Sequence, residues 1–146
     1  MAKHTPSFCL VAGLALAGPL YAQQWFPLAN AGTDAAGVAV EIDLQTLRSP
    51  SPLGEAVIRV TFDVLQPHTA GFGFRSFIAM AQFDCQRRTI LLASAAYFAQ
   101  PAGEGVRVGT DSSGRESGMP PGLLDRVPAP VRQALLRASC AAAQPN

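Results

Sequence analysis

From Ala56 to Val64 the chain keeps a two-residue rhythm, with Ala56, Ile58, Val60, Phe62 and Val64 on one parity and Arg59, Thr61 and Asp63 on the other. That period marks a strand with one buried face, and such a strand is stable only beside others, so the chain must build a sheet. Phe72 to Cys85 reads as a longer strand in which Phe72, Phe74, Ile78 and Met80 alternate with Phe77, Ala79, Ala81, Phe83 and Cys85. Apolar residues on both parities place it centrally. Thr89 to Phe98 follows after Gln86-Arg87-Arg88, a spacing that fits a hairpin with Asp84-Cys85 beside its turn. Shorter strands are expected at Trp25 to Leu28, Val38 to Ile42 and Val106 to Gly109. The count points to an α+β domain with a single antiparallel sheet of about six strands.

The segments between the strands carry breakers. Ser49-Pro50-Ser51-Pro52-Leu53-Gly54 and Gln66-Pro67-His68-Thr69-Ala70-Gly71 read as turns or loops, because proline cannot donate to a ladder. Asp43 is placed to end a strand and to cap a single helical turn running through Leu47. Thr110 to Gly122, rich in glycine, serine and proline, reads as a mobile loop. One helix follows. Pro130 suits a first helical position, and Val131, Ala134, Leu135 and Ala138 recur at helical spacing with Arg132 and Arg137 outside that stripe.

Three cysteines are present, and their positions carry compartment information. Cys9 lies in a segment with the order of an export signal: polar Met1 to Ser7 with Lys3, the apolar run Phe8 to Leu20, then Leu20-Tyr21-Ala22 before Gln23. The apolar run of 13 residues is shorter than the roughly 20 that span a bilayer. A lipid anchor would need a cysteine where Gln23 stands. Cleavage of residues 1–22 leaves one domain over residues 23–146, exported to the periplasm, released or displayed at the surface, with Cys85 and Cys140 as its cysteines. Two cysteines far apart in an oxidising compartment most simply form one disulfide. Cys140 follows Leu136 by one helical turn, so it can reach the sheet.

Beyond Lys3 every basic residue is an arginine, ten against ten acidic residues, and a near-neutral chain recruits neither nucleic acid nor anionic lipid by its overall field. The run Gly71-Phe72-Gly73-Phe74-Arg75-Ser76-Phe77 comes near the aromatic strand of an RNA-recognition fold, but its opening basic position is Ala70 and no partner strand with a companion motif precedes it. His68 is the one histidine after Gln23, sits beside Pro67, and reads as a solvated loop residue. No nucleophile elbow or metal-ligand spacing accompanies it, and no cofactor is expected. Asp84 beside Arg87 and Arg88 is accounted for by stabilising a hairpin end.

Four landmarks, taken in order, resemble the surface-adhesin protein E-like family of proteobacterial envelope proteins. They are Trp25 near the start, Asp84-Cys85 followed by Arg87-Arg88, Tyr97 followed by Gly103 and Gly105, and Val127-Pro128 leading through Ala134-Leu135 to Cys140. Ser76 also matches the strand position before the Asp-Cys pair. The chain departs from the pattern in having Leu124 where a second tryptophan is usual, and Val127-Pro128-Ala129-Pro130 in place of a Val-x-Pro-Gly-Ser helix start. The resemblance implies a C-terminal helix packed on the sheet and pinned to it by a Cys85–Cys140 bridge, and an envelope role that in characterised members is adhesion to host matrix proteins.

These readings converge on a non-enzymatic exported binding protein with a protein partner, the alternatives being a periplasmic structural or accessory protein and, more distantly, a small hydrolase. Two surfaces are candidates for contact. One is the loop carrying Asp111, Arg115 and Glu116, since recognition concentrates on loops held by a rigid sheet. The other is the polar parity of the first strand named above, Arg59, Thr61 and Asp63. Peripheral strands at Trp25 to Leu28 and Val106 to Gly109 would leave backbone free to pair with a second copy, giving a homodimer, or with an extended partner segment.

Overall fold

The computed structural model describes residues 23–28, 37–48, 53–113 and 122–141. The proposed export signal at residues 1–22 lies outside them, as do Ser49–Pro52 and both Arg115 and Glu116. Six strands, β1 (Trp25–Pro27), β2 (Val38–Asp43), β3 (Leu53–Pro67), β4 (Gly73–Asp84), β5 (Thr89–Phe98) and β6 (Arg107–Ser112), are followed by helix α1 (Ala129–Ala141). The strands form one antiparallel sheet in sequence order β1 to β6. Each connection joins spatial neighbours, so the strands form a meander.

One face of this sheet is the core. Ala56, Ile58, Val60 and Phe62 from β3 meet Phe77, Ala79, Ala81 and Phe83 from β4, with Val38, Val40 and Ile42 of β2 on one side and Ala95 and Tyr97 of β5 on the other. Helix α1 lies on this inner face and buries Val131, Leu135, Leu136 and Ser139. Its stripe is rotated from the one its sequence suggested, since Ala138 is exposed while Leu136 faces inward. The rotation brings Cys140 to the sheet. There it bonds to Cys85, with the two Cα atoms 5.7 Å apart, and closes a loop of 55 residues. Chain-entropy reasoning assigns such a closure about 4 kcal/mol.

Several boundaries differ from expectation. Leu53 and Gly54 belong to β3 rather than a loop, because Arg48 exchanges backbone hydrogen bonds with Glu55 and starts the pairing early. At its other end β3 runs on through Gln66 and Pro67 after a register shift between Thr61 and Gln66. That irregularity breaks the two-residue period, so Val64, expected in the core, is 66 % exposed. Asp43 ends β2 and accepts a backbone N–H as expected, from Gln45 to Oδ1 at 3.0 Å, but what it caps is a turn closed by the Thr46 N–H on its carbonyl at 3.2 Å and not a helical turn reaching Leu47. Thr110 to Ser112, expected in a mobile loop, are the second half of β6. Their polar side chains reflect a strand at the edge of the sheet.

Candidate functional site

The outer face, away from α1, is built from the opposite parity. Glu41 (β2), Arg59 and Thr61 (β3), Ser76 and Ile78 (β4) and Ala96 (β5) lie in adjoining register positions across it. At one end of this face the chain between β5 and β6 folds back as a 3-10 turn, Pro101–Gly103, and is clamped there. Ser76 is fully buried beneath the turn; its hydroxyl donates to the Gln100 carbonyl at 2.6 Å and accepts the Gly103 N–H at 2.9 Å. Thr61 Oγ1 accepts the Ala102 N–H at 3.1 Å. Arg59 donates to the Ala102 carbonyl at 3.0 Å and to Glu41 at 2.6 Å, while the Trp25 ring lies 4.4 Å from its guanidinium carbon. Ala102 sits at a φ of 56°, an uncommon conformation for alanine that these bonds hold in place. A Cβ on Gly103 would strike Ile78. Gly103 also sits at a φ of 74°, the left-handed region that favours glycine where the turn meets the strand.

Past this turn the outer face is open. A shallow groove of about 500 Å³ crosses four strands, floored by Val57, Ile78, Met80 and Ala96 and bounded on the β6 side by Thr110 and Ser112. The clue to it in the sequence is the double apolar parity of β4, together with Val57 on the polar parity of β3.

On the inner face, at the end reached by β3, a second cluster holds the residue the sequence reading misjudged. His68 is not solvated: its side chain is 5 % exposed, stacked 4.2 Å from the Phe72 ring and edge-on to Tyr97 at 4.7 Å. Its Nδ1 accepts the Ala70 N–H at 3.1 Å, so the proton belongs on Nε2, which donates to Asp111 Oδ2 at 2.9 Å. The β3–β4 turn is thereby latched to β6. Gly109 makes this possible, since a Cβ there would run into the Phe72 ring. Burial first, and the Asp111 carboxylate second, hold the Tyr97 hydroxyl well above its ordinary pKa. That hydroxyl is buried and has no hydrogen-bond partner among the described residues.

The sequence-derived surfaces are thus distributed differently from expectation. Arg59 and Thr61 lie together but are engaged by the clamped turn. Asp63 falls in the irregular stretch of β3, where its backbone N–H donates to the Gly37 carbonyl and its own carbonyl accepts from Arg75, leaving the residue exposed. Asp111, expected in the contact loop, is held in β6 by His68. No grouping of three or more histidine, cysteine, aspartate or glutamate side chains able to hold a metal occurs among the described residues. No helix among them is long and apolar enough to cross a membrane.

The class that emerges is a disulfide-pinned antiparallel sheet with a clamped turn and an open groove on the face away from its helix. The family model for Surface-adhesin protein E matches residues 25–141, and the chain belongs to that family. No curated protein and no solved structure matches it. The landmarks of the resemblance now have structural positions. Trp25 covers Arg59, Ser76 and Gly103 anchor the turn, and Asp84 Oδ1 accepts the Gln86 and Arg87 N–H groups at 3.1 and 2.9 Å in the β4–β5 turn. They describe how the scaffold is held, and the groove lies between them.

Proposed function

We propose that this protein is exported through cleavage after Ala22 and acts at the cell envelope as a non-enzymatic binder of a protein partner, with host matrix adhesion as the form its family implies. The observation that carries the reading is the outer-face groove. Its apolar floor, Val57, Ile78, Met80 and Ala96, stays open to solvent on a sheet whose other face is sealed, and apolar surface framed by polar groups is typical of contact sites. The family match supports surface adhesion. The segment bearing Arg115 and Glu116, next after β6 in sequence, is the second contact candidate.

Protease sensitivity on intact cells tests display, and mass measurement of the processed chain tests a start at Gln23. Capture of matrix proteins by the purified chain, compared with Met80→Asp, tests the groove: the substitution is expected to weaken capture at least about tenfold. A protein accessible only after the outer membrane is opened would instead have a periplasmic accessory role. Removal of residues 114–118 is expected to keep the fold, whereas a deletion reaching Asp111 would break the latch to His68. Pairing of two copies through a sheet edge is a competing use of the same backbone, read by light scattering at high micromolar concentration.

A further inference from the structure

The two edges of the sheet are unequal. β1 has three residues, one of them Pro27, which has no N–H to offer, and its Trp25 side chain is occupied with Arg59. β6 has six residues, Arg-Val-Gly-Thr-Asp-Ser, with neither proline nor lysine. An inward-facing charge is one way to discourage pairing at an edge, and the only such charge on β6, Asp111, is taken up by His68.

The direction of the free groups follows from the ladder. Ser113 donates its N–H to the Ala93 carbonyl, and Ala95 then pairs with Asp111 and Tyr97 with Gly109. By antiparallel alternation, the backbone groups of Asp111 and Gly109 turn toward β5, while the N–H and C=O of Thr110 and Ser112 turn outward. The side chains of Thr110 and Ser112 share the outer face with the groove and form its rim. Arg107, at the start of the strand, pairs with Phe98 through its backbone, while its exposed side chain makes no hydrogen bond or ion pair with a described residue.

We infer that β6 is the docking edge for an extended segment of a partner protein, which adds as a seventh strand through the backbone of Thr110 and Ser112. Outward backbone groups at alternate residues select an extended chain over a helix or a small molecule. On the added strand every second side chain lies on the outer face, next to the groove, so the segment carries an apolar residue at alternate positions. An acidic side chain toward its end meets Arg107. This inference rests on the reading of the protein as a binder of protein partners and names the backbone through which it binds.

The test uses the chain from Gln23 onward with a library of short random peptides as the probe. Selected peptides are expected to alternate apolar residues and to carry an acid, and to slow amide exchange at Thr110 and Ser112. Thr110→Pro removes an outward N–H without touching the β5 ladder and is expected to weaken the selected peptides about tenfold, with a smaller loss for Arg107→Glu. Equal binding to a folded Thr110→Pro protein overturns the inference, as does protection appearing at β1, or no enrichment at all. Protection at Thr110 and Ser112 that rises with protein concentration and needs no peptide overturns it in favour of a second copy. Should Thr110→Pro fail to fold, the exchange pattern of the unaltered protein decides. Matrix capture retained by Thr110→Pro would overturn the edge and leave the envelope-binding reading standing; loss of display and capture in the unaltered protein would remove that reading itself.

Discussion

The two faces of the sheet are closed by different forces. The inner face is sealed by apolar area and a covalent bond: Phe62, Phe74, Phe77 and Tyr97 pack ring against ring, Val131 and Leu135 press down from α1, and Cys85–Cys140 fixes that helix. The outer face is closed at one end only, by the hydrogen bonds that Arg59 and Ser76 donate to, and Thr61 accepts from, the backbone of a single turn. Apolar burial is non-directional and is shared through the whole core, whereas each of these polar contacts acts on one group. Damage to the inner face should therefore lower global stability. Damage to the outer face should loosen a segment.

The largest effect is expected from removing the disulfide. Cys85→Ala with Cys140→Ala should lower unfolding free energy in urea by about 4 kcal/mol, with the strand signal in circular dichroism retained at low denaturant. A loss below about 1 kcal/mol would mean that packing alone holds α1 to the sheet. Leu135→Ala, at a residue 1 % exposed on the same helix, is expected to cost about 3 kcal/mol in the same assay.

Ser76→Ala probes the other face. It strips the Gly103 N–H and the Gln100 carbonyl of their shared partner, for an expected loss of about 2 kcal/mol. Its diagnostic is spatial: amide exchange should accelerate across Gln100 to Gly105 far more than in β3 or β4. Uniform acceleration over the whole sheet would erase the distinction between the faces.

These contrasts also explain what could be read in advance. A two-residue period reports burial directly, so the inner parity of β3 from Ala56 to Phe62 was legible, as was the disulfide once two cysteines remained. Val64 was not, because a register shift leaves no trace in a list of alternating residues. Thr110 to Ser112 looked like loop because an edge strand needs few apolar side chains, and pairing with β5 is a property of the partner. Trp25, Ser76 and Gly103 were recognisable as landmarks, yet the turn they clamp depends on contacts between residues far apart in sequence. His68 illustrates the same limit. Its place beside Pro67 is local, whereas its burial is decided by Phe72, Tyr97 and Asp111, brought together by the meander.

The smallest expected effect lies where the inner face meets β6. Tyr97 packs its ring fully in the core but leaves its hydroxyl unpartnered beside Asp111, so Tyr97→Phe removes a buried polar group that no bond compensates. The substitution should be neutral or stabilise by up to about 1 kcal/mol at neutral pH. Its sign changes the alkaline limb of stability. Burial raises the folded pKa of Tyr97 above its ordinary value of 10.0, so the phenol stays neutral in the native state while the unfolded chain ionises. The contribution of that neutral phenol is complete below about pH 10 and is lost as pH rises toward the folded value. In the chain from Gln23 onward Tyr97 is the only tyrosine, so phenolate absorbance measured on that chain reports one group. The band is expected to appear only with unfolding in the native protein, and Tyr97→Phe should abolish the part of the alkaline stability loss that belongs to this residue. Phenolate absorbance rising near pH 10 while the fold is intact would show that the hydroxyl reaches water and that the inner face is open where Asp111 and His68 meet.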